Sequence, residues 1–246
     1  MRYRFGALRE IGGSLSIVDD NGLAGLSADP AASRDEAFPV LDRVGGDLSL
    51  TNDAALTAVS FPALRYVGGN LSIDFHPILD RISLPALEQV EGQVHLSVNP
   101  MLHTLTLGAL RSIGTRLYID RDASLEAVQL PSLENVGDLV SITEDPSLGI
   151  IGLPVLRLVE ASLAVTDDDQ LTSVAAPSLQ TVGDDLVLSE LPLLTAAAFG
   201  ALSSVGASLM VMNTELSCAV IETFCDADAA VTSISGNAQE NCDCPP

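Results

Sequence analysis

The sequence predicts an all-β chain wound as a right-handed parallel β-solenoid of 23-residue leucine-rich coils, closed by a disulfide-bonded C-terminal cap with a short helix. Three observations lead there. Seven units of 23 residues run from Phe38 to Ala198 without an insertion or deletion. Aliphatic residues recur at fixed places of each unit. No unit holds the roughly 10–12 residues of unbroken helical periodicity that a packed helix wants. A coil of short strands and corners cannot bury its aliphatic edge alone, so neighbouring coils must stack and bury it together.

Taken in order, a degenerate unit from Phe5 to Ala37 comes first, with about ten extra residues around Ala28–Ala37 by comparison with the 23-residue period. Within the regular units Leu holds the fourth place (Leu41, Leu64, Leu87) and Val or Ile the seventh (Val44, Val67, Val90). The eleventh and thirteenth places are aliphatic around a mostly polar residue, as in Leu71-Ser72-Ile73, which is the alternation of a strand with one buried face. Leu48, Leu71, Val94, Leu117, Val140, Leu163, Leu186 and Leu209 should therefore form one buried column. Two further aliphatics, such as Leu79 and Ile82, follow in each unit. Glycines at the eighth and ninth places, as in Gly45-Gly46 and Gly68-Gly69, read as φ freedom for a corner. The eighth unit starts at Phe199 and changes character after Leu216. The chain thus divides into a solenoid of about nine coils over residues 1–216, with its insertion near 28–37, and a Cys-rich cap over 217–246. In the cap, Val220, Ile221 and Phe224 allow a short helix over the last coil, and Val231 to Ile234 reads as a final strand.

Equivalent places lie above one another in such a stack, so columns can be read across coils. The fifth place alternates in sign over Asp42, Arg65, Glu88, Arg111, Glu134 and Arg157, which reads as a solvated charge ladder that fixes register. The sixteenth place runs Asp53, His76, Asn99, Asp122, Asp145, Asp168 and then Leu191. Short polar side chains at a turn satisfy nearby backbone amides, and that is the role expected of this column. Asp167-Asp168-Asp169 is a weaker calcium candidate, having no glycine-spaced loop.

The unit Val67-Gly68-Gly69 through Leu71, Ile73, His76 and Leu79 resembles the leucine-rich repeat of receptor L domains, the ligand-binding β-solenoid modules of the insulin and epidermal growth factor receptor families. Similar repeats occur in fungal cell-wall proteins and in many secreted bacterial proteins. The resemblance covers Phe5 to Leu216, and the receptors' Cys-rich module between L domains has no counterpart in this sequence. It implies a secreted or surface-exposed binding module, and its motif is specific for fold rather than for ligand. The tail from Asn213 to Cys242 looks like the cysteine-closed cap of the bacterial members.

All four cysteines, Cys218, Cys225, Cys242 and Cys244, lie in the last 29 residues. An even number at one end of a stack reads as a disulfide framework and hence an oxidising compartment, while their spacing fits zinc half-sites poorly. The look-alike caps imply Cys218–Cys242, leaving Cys225–Cys244; the crossed pairing stays open because Cys242 and Cys244 are only two residues apart. Met1-Arg-Tyr-Arg runs directly into Phe5 with no apolar signal region, which reads as a chain missing its leader and N-terminal cap, with an intracellular protein as the rival. Asn70-Leu-Ser72 is a glycosylation sequon if the host uses one.

Composition narrows the function. With 33 acidic residues against 11 arginines and no lysine, the formal net charge is −22, which repels nucleic acid and anionic membrane surfaces. No apolar run is long enough to span a bilayer as a helix. Only 4% of residues are aromatic, so a deep pocket for a large organic ligand is not expected. No nucleophile elbow, phosphate-binding loop, dinucleotide motif or metalloprotease motif occurs, and His76, His95 and His103 fall in three different columns. The reading is a non-enzyme with no cofactor. A carbohydrate-active β-helix would need acids gathered in a groove, and an ice-binding ladder is broken at His95, Tyr118, Val187 and Met210. What remains is recognition of a protein or glycan through a shallow face, or a structural spacer with no specific ligand. The candidate face is Ser72, Asp74, His95, Ser97, Tyr118 and Asp120, at the twelfth and fourteenth places of the middle coils, where hydrogen-bonding groups surround an aromatic.

Overall fold

The computed structural model describes residues 5–20, 38–225 and 228–237, the side chains of residues 224–232 excepted. The insertion near 28–37 and the segment 1–4 lie outside the described residues. The chain is a parallel β-solenoid of about eight coils with a short helix near its C-terminal end. That is slightly fewer than the nine expected.

Each regular coil contributes three strands, as in Tyr66–Val67, Leu71–Asp74 and Arg81–Ser83. The first two join one 18-stranded sheet, and the third kind forms smaller sheets of five and two strands. The register is that of the repeat: Leu71 pairs with Leu48 on one side and Val94 on the other. The first coil pairs at an offset of 33 instead of 23, Leu15 opposite Leu48, as the extra residues of the degenerate unit require.

Alternation along the four-residue strands sends the eleventh and thirteenth places inward. Every member of the expected column from Leu48 to Leu209 is buried, as are Leu50, Ile73, Leu96, Ile119 and Ile142 beside it. Burying each such side chain contributes about 1.5–3 kcal/mol, and the column is continuous from coil to coil. At one edge the rings of Phe5, Phe38 and Phe61 stack with centroids 4.9 and 5.4 Å apart.

The corner glycines act differently from the expectation. The eighth-place glycines have ordinary negative φ; among described glycines only Gly236 is left-handed. What they supply is close approach between coils. A Cβ on Gly114 would lie 1.9 Å from the carbonyl oxygen of Glu91 in the coil before it. The left-handed corner sits instead at the fifteenth place, on Asn52, Phe75, Val98, Arg121, Glu144, Asp167, Glu190 and Asn213, with φ between 52° and 63°.

At the C-terminal end the strand Ser204–Thr214 pairs with Asp228–Ser235, and the helix Cys218–Cys225 buries Ile221 against the last coil. The expected final strand is therefore present. The expected pairings Cys218–Cys242 and Cys225–Cys244 fall outside the described residues, which exclude Cys242, Cys244 and the side chains of Phe224 and Cys225. No described helix is long and apolar enough to cross a membrane.

Candidate recognition face and buried polar column

The main strands place His95 and Tyr118 side by side at the twelfth place of consecutive coils, paired in register and half-exposed. Their rings are 5.3 Å apart and tilted. His95 Nδ1 is 3.1 Å from Asp74 Oδ1 and its Nε2 is 3.8 Å from Asp120 Oδ1, so the ring bridges carboxylates from the coils on either side. The hydrogen bond that His95 donates to Asp74 raises the His95 pKa above its ordinary 6.5, against the opposing effect of burial. Arg121 turns back onto Asp120 and neutralises it from the corner.

The candidate face is narrower than its spacing implies. Ser72, His95 and Tyr118 are half-exposed, but the fourteenth-place members Asp74, Ser97 and Asp120 are buried. His95 lies against Asp74 and Asp120, and Arg121 closes over Asp120 from the corner. The fourteenth place thus supports the surface from beneath.

That corner carries a feature the sequence reading missed. Phe75 and Val98 occupy the left-handed place in two consecutive coils, where the other described coils have Asp, Asn, Glu or Arg. Bulky and β-branched residues are disfavoured at positive φ. Phe75 is 49% exposed, and around the same corner Ile78 and Met101 are 44% and 47% exposed. The sign to look for was the fifteenth place: an apolar pair interrupting a polar column, adjacent to the His95–Tyr118 coils.

The sixteenth place points inward, and its residues are fully buried. Each side chain accepts from the backbone amide of the equivalent residue one coil earlier: Asp53 from Asp20, Asn99 from His76, Asp122 from Asn99, Asp145 from Asp122 and Asp168 from Asp145. This is the amide-satisfying role expected of the column. It extends past Leu191 to Thr214 and Asn237, whose Oδ1 accepts the Thr214 amide. The neutral members also donate: Asn99 Nδ2 to the Ile73 carbonyl at 3.0 Å, His76 Nε2 to that of Leu50 at 3.1 Å, and Asn237 Nδ2 to that of Val211 at 3.0 Å. Burial pushes the Asp122 and Asp168 carboxyls up to about 7 and that of Asp145 up to about 9, and it raises Asp53 as well.

A second, shallower ladder runs along the tenth place in the opposite sense. Asp47 Oδ1 accepts the Asn70 amide, Asn70 Oδ1 the Gln93 amide, and Asp185 Oδ1 the Ser208 amide. Asn70, the sequon residue, is half-buried and its side chain is committed to this contact.

Of the charge ladder, Arg65 reaches both Asp42 at 3.6 Å and Glu88 at 4.0 Å, and Arg111 reaches Glu134 at 3.2 Å. Asp168 is turned into the buried column while Asp167 and Asp169 are exposed, so the aspartate triplet does not converge, and no described group of acidic, His or Cys side chains is arranged to hold a metal ion. His76 is inside the stack and His103 exposed on its surface, apart from His95 in fold position. No family model matches the chain, and no curated protein or solved structure matches it.

Proposed function

We propose that the chain is a secreted or cell-surface binding module of the receptor-L-domain type, recognising a protein or glycan through the middle coils. The observation that carries this is the pair Phe75, exposed, and Val98, half-exposed, both in left-handed backbone, in coils next to the half-exposed rings of His95 and Tyr118. A purely structural corner gains nothing from apolar residues there, since asparagine takes that conformation at less cost. Strained residues cluster where a surface is used. Aromatic anchors above a rigid sheet lose little side-chain entropy on binding, and Ser72 and the His95 imidazole supply hydrogen-bonding groups around them. The resemblance of the repeat to receptor L domains and the cysteine-rich tail support the extracellular setting.

The test is an array of glycans and extracellular proteins probed with the purified chain and with Tyr118→Ala and His95→Ala. A ligand retained by the parent and lost by both variants supports the reading. Binding unaffected by either substitution overturns the assignment of the face. Broad coverage without any hit favours the second reading, a spacer, for which the unbroken 23-residue period is the supporting observation.

A further inference from the structure

Inside the solenoid, identical places in the column make unequal hydrogen bonds. Asn99, His76 and Asn237 each accept an amide from one neighbour and donate to the thirteenth-place carbonyl of the preceding coil. The aspartates accept in the same way through Oδ1, but the Oδ2 atoms of Asp53, Asp122, Asp145 and Asp168 are buried without any partner. A carboxylate oxygen in that position would face carbonyl oxygen with no donor between them, an arrangement that costs the full desolvation of a charge. One proton on each removes the conflict, because a carboxylic acid carries an O–H donor beside its accepting oxygen.

We infer that Asp122, Asp145 and Asp168 of this column are carboxylic acids in the folded chain. Each Oδ2–H donates inward as the Asn99 amide does, Asp122 to the Leu96 carbonyl, Asp145 to that of Ile119 and Asp168 to that of Ile142. The solenoid therefore takes up protons as it folds, and its stack loosens as they leave.

The surroundings support this. Asp122 faces Asp120 and Asp74, Asp145 is flanked by Asp122, Asp168 and Asp120, and Asp168 has Asp167 and Asp169 beside it. On the solvent side His95 engages Asp74 and Asp120, and Arg121 engages Asp120 and Glu144. Asp53 has His76, Asp19 and Asp20 around it. Burial and these like charges both favour the neutral acid, and the carboxyl pKa values of about 7, 9 and 7 for Asp122, Asp145 and Asp168 follow the same direction.

A group whose folded pKa is raised contributes stability that is complete below its unfolded value and is lost as pH rises through the folded value. Each such proton lowers the folding equilibrium about tenfold per pH unit between roughly 4 and the folded pKa. The chain should thus be most stable in mild acid and lose stability steadily from there towards pH 9, opposite to a protein held by ionised carboxylates.

Three measurements on the whole chain test it. Calorimetric unfolding at pH 6 in buffers of different ionisation enthalpy should release about three protons per chain; release of none overturns the inference. Carboxyl carbon NMR of the native protein should show the Asp145 side chain still protonated at neutral pH, whereas titration near the ordinary 3.8 overturns it. Asp122→Asn, Asp145→Asn and Asp168→Asn, singly and together, supply the donor permanently and should flatten the fall of Tm between pH 5 and pH 8. A fall as steep as the parent's overturns the inference, and if the triple variant does not fold the NMR titration decides. The Tm should also be indifferent to a chelator; a chelator-sensitive Tm would mean that a cation, not a proton, is the partner.

Discussion

The backbone amide of Asn99 donates to Asp122 Oδ1 at 2.6 Å, while the side-chain amide of Asn99 reaches back to the Ile73 carbonyl at 3.0 Å. One residue thus ties together three consecutive coils from inside. A buried amide or carbonyl left without a partner costs about 1–3 kcal/mol. Asn99→Leu fills similar space but leaves the His76 amide and the Ile73 carbonyl unpaired, so a loss of about 2 kcal/mol or more is expected in a urea titration. A loss of a few tenths would mean that the column aligns coils without stabilising them.

The aliphatic column makes a sharper contrast with the charge ladder. Leu117 is completely buried between Val94 and Val140, so Leu117→Ala should cost about 2–5 kcal/mol. Arg111 is exposed and pairs with Glu134 at the surface, so Arg111→Ala should change stability by at most about 1 kcal/mol. Equal effects in parallel denaturant titrations would contradict the division between core and rim.

Much of this was legible because a strict repeat turns one-dimensional spacing into columns. Period-two alternation put Leu48 to Leu209 inward, and the run of Asp, Asn and His at the sixteenth place announced its bonds to the backbone. Other features depend on backbone geometry that spacing does not encode. Glycine at Gly114 looked like a turn residue, yet it is required because the coil beneath leaves no room for a Cβ. The burial of Asp74 and Asp120 goes with the position of the His95 ring against them, and alternation alone sends that place outward. The apolar break at Phe75 and Val98 was visible in the letters, but its meaning needed the sign of φ.

His95 gives a local pH readout. Its pKa is raised chiefly by the hydrogen bond it donates to Asp74, so its favourable contribution is complete below 6.5 and fades as pH rises through the folded value. Imidazole NMR should show His95 titrating above 6.5, and Asp74→Asn should bring the midpoint down. An unchanged midpoint in that variant would assign the shift to Asp120 instead.

Two glycines separate close approach from chain entropy. Gly114→Ala forces a methyl against the Glu91 carbonyl and should destabilise by about 1–3 kcal/mol. At Gly108 an added Cβ meets nothing within 4 Å and φ is not positive, so Gly108→Ala should stabilise by about 0.4–1 kcal/mol through the unfolded chain. Thermal melts of the pair should move in opposite directions.

Phe75 joins the stability and recognition arguments in one residue. Its φ of 63° is a conformation that asparagine accepts more readily, as Asn52 and Asn213 do at the same place of other coils. Its side chain is about half exposed, so replacing it removes little core packing. Phe75→Asn should therefore leave the fold intact and raise stability by about 1 kcal/mol, read as a higher denaturation midpoint with unchanged slope. If the corner is the recognition surface, the same variant should lose affinity for any ligand found on the array at least tenfold, while Ile150→Asn, an equally exposed apolar residue elsewhere on the rod, should bind normally. A Phe75→Asn chain less stable than its parent would show that the ring is a packing residue. One more stable with binding undiminished would take the recognition surface away from this corner.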